Sequence, residues 1–326
     1  MTPRWRAATS RCTAPARFTT HSQPASPRSP GVGHESLRVA ESATPSPSVG
    51  TISVSPLPNR LRRMRTAMTL DSGQVVSYVD HGGSGPAVLL LHSYLMDADM
   101  FAPQVRSLGQ SYRLIAMDER GHGETPADGP FTYWDVARDA LGLLDHLGIA
   151  RCAVLGTSQG GFIGLRMALL APDRVAALVL LGTSGAAEDP QVADAYRQAA
   201  AAWRELGPTQ DLLDMNAAIC LGRHDATEWQ AKWRKLSGDH IDRVLTPLVE
   251  RDSILDRASE IDCPALVLHG SADAAYPVDR AVELAAALPD AGPPVIVDGG
   301  AHFLSLTDAD AVEPHLLEFL SKSLPG

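Results

Sequence analysis

The residues best suited to chemistry are a serine and its neighbours in the segment GTSQG at 156–160. An apolar, strand-like run at 151–156 precedes this serine, and a helical pattern at 160–170 follows it. Between a strand and a helix, such a serine lies on a sharp turn that exposes its hydroxyl. The next amide opens the helix, where it can face a developing oxyanion. We predict Ser158 as a nucleophile and the Gln159 N–H as an oxyanion donor; the alternative is a serine in an ordinary helix-capping turn.

A serine hydroxyl is a poor nucleophile unless a base takes its proton. We predict His302, in the segment GGAHF after the last strand-like run, as that base. The base needs a carboxylate to hold its tautomer, and Asp273 follows the preceding strand-like run. The rival bases are three other histidines, and the fallback acids are two aspartates that we interpret as surface charges: His92, His122, His269, Asp252 and Asp262.

The elements that must position these residues alternate between strands and helices. The predicted strands are an exposed one at 74–80, buried ones at 87–92 and 175–181, and four more at 112–118, 151–156, 265–270 and 294–297. The predicted helices lie at 134–147, 160–170, 278–287 and 311–320. Such alternation indicates an α/β fold, with a mostly parallel, doubly wound sheet and helices on both faces. Ligands of such sheets bind beyond the carboxyl ends of the strands, and every candidate residue follows a strand end.

The stretch at 184–258 contains no strand pattern and predicts three or four helices, which we interpret as a helical cap inserted after the sixth strand. The α/β core would then comprise residues 66–183 and 259–326. Trp229 and Trp233 are four apart on one helix face, and Trp203 lies on an earlier helix. These tryptophans either line an apolar substrate pocket or pack the cap on the core.

The loop after the third strand supplies a further candidate. The Tyr94 N–H is the predicted second oxyanion donor, and the Tyr94 side chain is a predicted wall of the substrate pocket.

Taken together, these motifs resemble the α/β-hydrolase superfamily, over a match from about residue 74 to the C-terminus. Four segments in the same order carry the resemblance: HSYLMDADMF at 92–101, DERGHGET at 118–125, GTSQGGFIG at 156–164, and GSADAAYP followed by GGAHF. The most similar members are small esterases, enol-lactonases, carbon–carbon bond hydrolases and cofactor-free haloperoxidase-like proteins. Relatives usually have His-Gly where this chain has His92-Ser93. Epoxide hydrolases and haloalkane dehalogenases of this fold place Asp where this chain has Ser158.

The resemblance implies a cofactor-free serine hydrolase, of carboxylesterase or lactonase type, that forms an acyl-serine intermediate. A cap of this kind implies a small or medium, partly apolar substrate that is enclosed away from water. Three alternatives use the same residues: a carbon–carbon bond hydrolase, an acyltransferase with an acceptor other than water, and a ligand-binding receptor.

Composition limits the other function classes. The chain has 326 residues and a formal net charge of −10. Residues 1–65 carry a net charge of +8, so the remainder carries −18 and repels nucleic acid. Its four cysteines show no CxxC spacing, which argues against a metal site and suits a reducing, cytoplasmic location. No run approaches the roughly 18 apolar residues that span a membrane. The predicted partner is a small-molecule substrate, and the oligomeric state is left open.

Residues 1–65 differ in composition from the rest of the chain. They are rich in Pro, Ser, Thr and Arg, with ten arginines against two acidic residues. Such a segment buries too little apolar surface to offset the entropy of ordering it, so we expect disorder. It has no secretory apolar region. It is either a transit-like or otherwise functional tail, or a stretch upstream of a true translation start at Met64 or Met68.

Overall fold

The structure, a computed structural model, describes residues 64–324. The predictions for the N-terminal extension therefore lie outside the described residues, except at its last two positions.

An eight-stranded sheet forms the centre of the fold, in the order β1-β2-β4-β3-β5-β6-β7-β8. The strands β1 and β2 pair antiparallel, β2 also pairs antiparallel with β4, and all the other pairings are parallel. This arrangement confirms the mostly parallel α/β sheet. In chain order, the strands β1 to β8 are Thr66–Thr69, Val75–Gly82, Ala87–Leu91, Arg113–Asp118, Cys152–Thr157, Val175–Leu181, Ala265–Gly270 and Val295–Val297.

Within residues 64–324, ten α-helices accompany this sheet, and several begin at side chains that satisfy the free amides of a first turn. Thr132 and Asp135 form a reciprocal capping box at α2, and Asp189, Thr209 and Ser237 cap α4, α5 and α7. In chain order, the helices α1 to α10 are Ala102–Leu108, Tyr133–His146, Gln159–Leu170, Pro190–Leu206, Gln210–Leu221, Thr227–Trp233, Gly238–Val249, Val278–Ala287, Leu304–Thr307 and Ala309–Ser323.

The continuous apolar runs are the strands at the centre of the sheet, as their lack of alternation predicts. Every residue of β5 and β6 is buried, and so is all of β3 after Ala87. The sequence patterns did not predict β1, α1 or α9. The strand β1 has four residues, three of them exposed, so its side chains show no apolar pattern.

Four helices, α4 to α7, fill the interval between β6 and β7, where the sequence pattern showed no strand. Within this interval α4 packs against α7, and α5 against α6. Its interpretation as a cap that covers a substrate stays a prediction.

Strand register brings the loops that carry the candidate residues to one edge of the sheet. Leu91, the last residue of β3, pairs with Gly156 near the end of β5. On the other side of β5, Thr157 pairs with Leu181 at the end of β6, and Gly270 at the end of β7 pairs with Val297 at the end of β8. The loops that follow β3, β5, β7 and β8 therefore all leave from the carboxyl edge.

Candidate active site

Ser158 occupies the turn between β5 and α3 in a strained backbone conformation. Its φ is 49° and its ψ is −109°, a region that residues with a Cβ rarely adopt. The turn is held on both sides, because Ser158 N donates to Leu181 O at 2.8 Å and Thr183 Oγ1 donates to Ser158 O at 2.8 Å. The Ser158 side chain makes no capping hydrogen bond to α3. Its hydroxyl is therefore free to face the His302 ring.

The structure brings the three predicted triad residues together. His302 Nε2 lies 3.0 Å from Ser158 Oγ, and His302 Nδ1 lies 2.8 Å from Asp273 Oδ2. All three are buried; Ser158 and His302 are 3% and 4% exposed. An ionised carboxylate can only accept hydrogen bonds, so Nδ1 carries the ring proton. The lone pair of Nε2 then faces the serine hydroxyl.

The Asp273 carboxylate is held in its ionised form. Burial alone would raise its pKa, but the facing His302 ring, its hydrogen bond to the carboxylate and the Tyr276 N–H together hold the pKa below its ordinary value. Oδ1 accepts from Ala275 N at 2.7 Å and from Tyr276 N at 2.9 Å. The rival base His269 also contacts this acid: its Nε2 lies 3.3 Å from Oδ2 and donates to Tyr276 O at 3.0 Å. His269 thus stands behind the carboxylate.

Gly182 lets the His302 loop pass over the end of β6 to reach the serine. Its φ is 54°, and a Cβ added there would lie 2.6 Å from His302 O and 3.4 Å from His302 Nδ1. A side chain at this position would overlap the His302 carbonyl and displace the loop that carries the imidazole, so the glycine is part of the site. No motif of the sequence predicted this role for Gly182, although a glycine directly after a fully apolar strand was the available signal.

The two predicted oxyanion donors, the amides of Tyr94 and Gln159, belong to loops that follow neighbouring strands. None of the hydrogen bonds found in residues 64–324 uses either amide as a donor. The two loops lie in direct contact, because a Cβ on Gly160 would overlap the carbonyl of Leu91. Their service as an oxyanion hole stays a prediction.

The loop after β3 begins with His92 and Ser93, in place of the His-Gly pair that the resemblance implies. Ser93 is fully buried, and its hydroxyl has no hydrogen-bond partner. The rival base His92 accepts from Glu119 N at 3.0 Å through Nε2, so Nδ1–H donates to Ser93 O at 2.8 Å. Both nitrogens of this ring are therefore engaged in holding the loop. Leu95, two residues after Ser93, has a φ of 60°.

A chain of buried polar side chains, which no sequence pattern predicted, lies behind the turn that carries Ser158. Tyr133 OH donates to Gln159 Oε1 at 3.0 Å, and Gln159 Nε2 donates to Glu119 Oε2. Glu119 is fully buried, and its other oxygen has no partner. Burial raises the pKa of Glu119 from 4.5 to about 7, against the opposing effects of His92 and the Gln159 amide. Gln159 therefore joins this chain through its side-chain amide, which leaves its backbone N–H outside these hydrogen bonds.

The remaining alternatives have other partners. Asp252 forms an ion pair with Arg166 at 2.7 Å, and Asp262 is exposed. The His122 ring packs 5.1 Å from the His92 ring, and Nδ1 of His122 lies 2.9 Å from Arg120 O. None of the contacts made within residues 64–324 joins these three residues to Ser158.

The residues predicted to line a pocket fall into two groups. Tyr94 is partly exposed, and its ring meets the Tyr196 ring of α4 edge-on at 6.5 Å. Trp203, Trp229 and Trp233 are buried, and two of them donate to backbone carbonyls, Trp203 to Leu236 at 3.1 Å and Trp233 to Leu95 at 2.8 Å. These contacts favour the packing interpretation for Trp203, and a substrate-lining role stays a prediction.

Across the described range, no cluster of three or more His, Cys, Asp or Glu residues could hold a metal ion. No helix between residues 64 and 324 is long and apolar enough to cross a membrane.

The chain is similar to several known hydrolases in sequence and in structure. A family model described as alpha/beta hydrolase fold matches residues 86–309. The RutD protein of Variovorax paradoxus (strain S110), whose name describes a carbamate hydrolase, is 31% identical over 76% of this chain and 97% of its own length. A thermophilic esterase from Thermogutta terrifontis is 26% identical, with a TM-score of 0.71 over 80% of this chain and 99% of that one. The enol-lactonase from Burkholderia xenovorans LB400 is 28% identical, with a TM-score of 0.69 over 78% and 100%.

Proposed function

The chain is an enzyme of the alpha/beta hydrolase fold family, and from that premise we propose that it is a serine hydrolase. It cleaves an ester-like bond of a small or medium, partly apolar substrate through an acyl-serine intermediate and needs no cofactor. The observation that carries this proposal is the pair of contacts that joins Ser158 Oγ to His302 at 3.0 Å and His302 to Asp273 at 2.8 Å. Nucleophile, base and orienting carboxylate follow one another within hydrogen-bond reach, as this chemistry requires.

In the acylation step, His302 Nε2 takes the proton of Ser158 as Oγ attacks the carbonyl carbon of the substrate. The carbonyl electrons move onto oxygen, and the amides of Tyr94 and Gln159 donate to that oxyanion. The imidazolium then gives its proton to the leaving group as the tetrahedral intermediate collapses to an acyl-serine. The ionised Asp273 stabilises the imidazolium. One well-placed oxyanion donor is worth about 10²- to 10³-fold in kcat.

In the deacylation step, water takes the position of the leaving group. His302 removes a proton from it, the hydroxide attacks the acyl carbon, and Ser158 leaves with the proton held by the imidazole. The products are an acid and the regenerated hydroxyl, so proton and electron counts close without a metal or redox group. Helices α4 to α7 form a cap over the active site and limit the entry of bulk water during this step. Tyr94 and Tyr196 contribute aromatic surface to the substrate pocket.

The named relatives support this bond class. A carbamate, an ester and an enol-lactone all present an acyl carbon to a nucleophile, and these are the substrates in the names of the relatives matched here. We infer from this shared chemistry that the substrate of this protein is an ester, a lactone or a carbamate.

The test is hydrolysis of a short- to medium-chain p-nitrophenyl ester series, together with labelling by a fluorophosphonate that reacts with activated serines. Wild-type protein is expected to hydrolyse part of the series and to carry the label on the Ser158 peptide, located by mass spectrometry. Ser158→Ala should abolish both. Ser184→Ala removes another buried serine hydroxyl and serves as the matched control with near wild-type rates.

Full activity in Ser158→Ala would overturn the proposal. An unlabelled wild type that converts a vinylogous diketone would instead support the carbon–carbon hydrolase, especially if Ser158→Ala accumulated the ketonised substrate. Tight ligand binding without turnover of any ester, lactone or carbamate would support the receptor.

A further inference from the structure

The tryptophan at the end of α6 forms a direct bond to the loop that carries the Tyr94 amide. Trp233 is fully buried, and its Nε1–H donates to Leu95 O at 2.8 Å. Leu95 directly follows Tyr94, so a single peptide, Tyr94–Leu95, separates the peptide of this carbonyl from the peptide that carries the proposed oxyanion donor. The two residues that meet here come from positions 138 apart in the sequence.

The backbone of Leu95 has an unfavourable conformation, which its surroundings must hold in place. Its φ of 60° lies in the left-handed region, where the Cβ of leucine crowds the backbone. Other bonds hold the beginning of this loop, since Ser93 O accepts from Met96 N at 3.0 Å and contacts His92 Nδ1 at 2.8 Å. Within residues 64–324, the hydrogen bond that the Leu95 carbonyl receives comes from Trp233. The orientation of the Leu95–Met96 peptide thus depends on a side chain of α6.

A second contact joins the same helix to the same loop. Lys232 Nζ lies 2.6 Å from Asp97 Oδ2 and 2.8 Å from Asp99 Oδ2. The Asp97 side chain is 8% exposed and also accepts from Asp99 N at 2.9 Å, where it caps the short 3₁₀ helix Ala98–Phe101. Consecutive residues of α6 therefore hold the loop at two points, one before and one after Met96.

We propose that Trp233 is a positioning residue for the oxyanion hole, so that the α4–α7 segment supplies part of the catalytic geometry as well as a cover. This inference rests on the proposed function, because it assumes that the Tyr94 amide holds an oxyanion. Trp233 fixes the carbonyl of the Leu95–Met96 peptide. This bond restricts the backbone torsions of Leu95 and Tyr94 and thereby positions the Ser93–Tyr94 peptide, which carries the Tyr94 N–H. The transition state carries the full oxyanion charge and the bound substrate does not, so loss of Trp233 lowers kcat more than it raises KM.

The experiment compares Trp233→Phe, which keeps a large apolar ring but removes the N–H, with Arg243→Met. Arg243 on α7 donates to Ala127 O at 2.6 Å, so its loss also removes a bond from this segment to the core, but at a loop that carries no proposed donor. We expect Trp233→Phe to lower kcat about 10-fold or more, part of the 10²- to 10³-fold effect of a whole donor. KM should change less than about 3-fold, and Arg243→Met should remain near wild type.

A transition-state mimic gives a second measurement. The affinity for a trifluoromethyl ketone, which forms an oxyanion on Ser158, should fall in proportion to kcat/KM in Trp233→Phe. The affinity for the carboxylic acid product should not change. Equal kcat and equal ketone affinity in Trp233→Phe and Arg243→Met would overturn the inference.

The two proposals fail in different ways. If wild-type protein neither hydrolyses esters nor reacts with a fluorophosphonate at Ser158, the proposed function fails. If wild type reacts and Trp233→Phe reacts equally fast, only the role of Trp233 fails. Should Trp233→Phe not fold, as circular dichroism would show, Lys232→Met tests the second contact. It should lower kcat and ketone affinity in the same direction, and unchanged values for it would count against the inference.

Discussion

The strained turn at Ser158 predicts a reversal of the usual effect of glycine on stability. We compare Ser158→Gly with Ser158→Ala, since both variants lose the hydroxyl and its contact with His302. They differ in the Cβ, which is unfavourable at a φ of 49° and a ψ of −109°. A residue with a Cβ held in such a region costs about 1–3 kcal/mol, which glycine avoids. Glycine in turn loses more backbone entropy on folding, by about 0.5–1 kcal/mol.

The difference leaves Ser158→Gly more stable than Ser158→Ala by about 1 kcal/mol, or about 2–4 °C in Tm for a folded region of this size. The assay is urea unfolding followed by circular dichroism, where equal slopes and a shifted midpoint report stability alone. Ala195→Gly is the control, because Ala195 is exposed within α4. There glycine should destabilise by about 0.5–1 kcal/mol.

The sign at position 158 decides between two explanations of the turn. If Ser158→Gly were less stable than Ser158→Ala by the same amount that Ala195→Gly loses, the turn would store no strain. The inference that the surrounding structure holds Ser158 in an unfavourable backbone conformation, and that this lowers the stability of the protein, would then be wrong.

Two further predictions concern buried charges. Because the pKa of Glu119 rises from 4.5 to about 7 on folding, the unfolded chain ionises first, and stability is lost as pH increases between those values. At 1.36 kcal/mol per pH unit, the loss in the free energy of unfolding is about 3 kcal/mol. Glu119→Gln should remove this pH dependence, as measured by urea titrations at pH 4 and pH 8. An equal change in stability between the two pH values in both proteins would contradict the prediction. The Glu188–Arg251 pair is 1% and 2% exposed, so Glu188→Gln should cost about 3–5 kcal/mol by leaving the guanidinium buried and unpaired. Glu318→Gln, at the exposed pair with Lys322, should leave the unfolding midpoint nearly unchanged, and similar midpoints for the two variants would contradict the prediction.

Much of the fold could be predicted from local pattern. Apolar runs predicted six strands close to their observed bounds. Five of these strands are largely buried, and a strand covered on both faces must be apolar throughout, whereas β8 is only partly buried. The interval without strands at 184–258 contains four helices, which falls within the predicted number. The pattern missed β1, which is mostly exposed, and α1, which has seven residues. Such short elements owe their structure to their neighbours in the fold.

The contacts of the candidate site likewise divide into those that a local pattern predicts and those that it does not. The sequence by itself determined which residues are candidates for chemistry, because Ser158, Asp273 and His302 each follow a strand of a mostly parallel sheet. Only the tertiary structure decided what else holds them. Gly182 makes room for the imidazole, and Trp233 reaches the loop of Tyr94 across 138 positions of sequence. A local pattern records what a residue needs from its own strand or helix, and such contacts exist only once distant segments have packed.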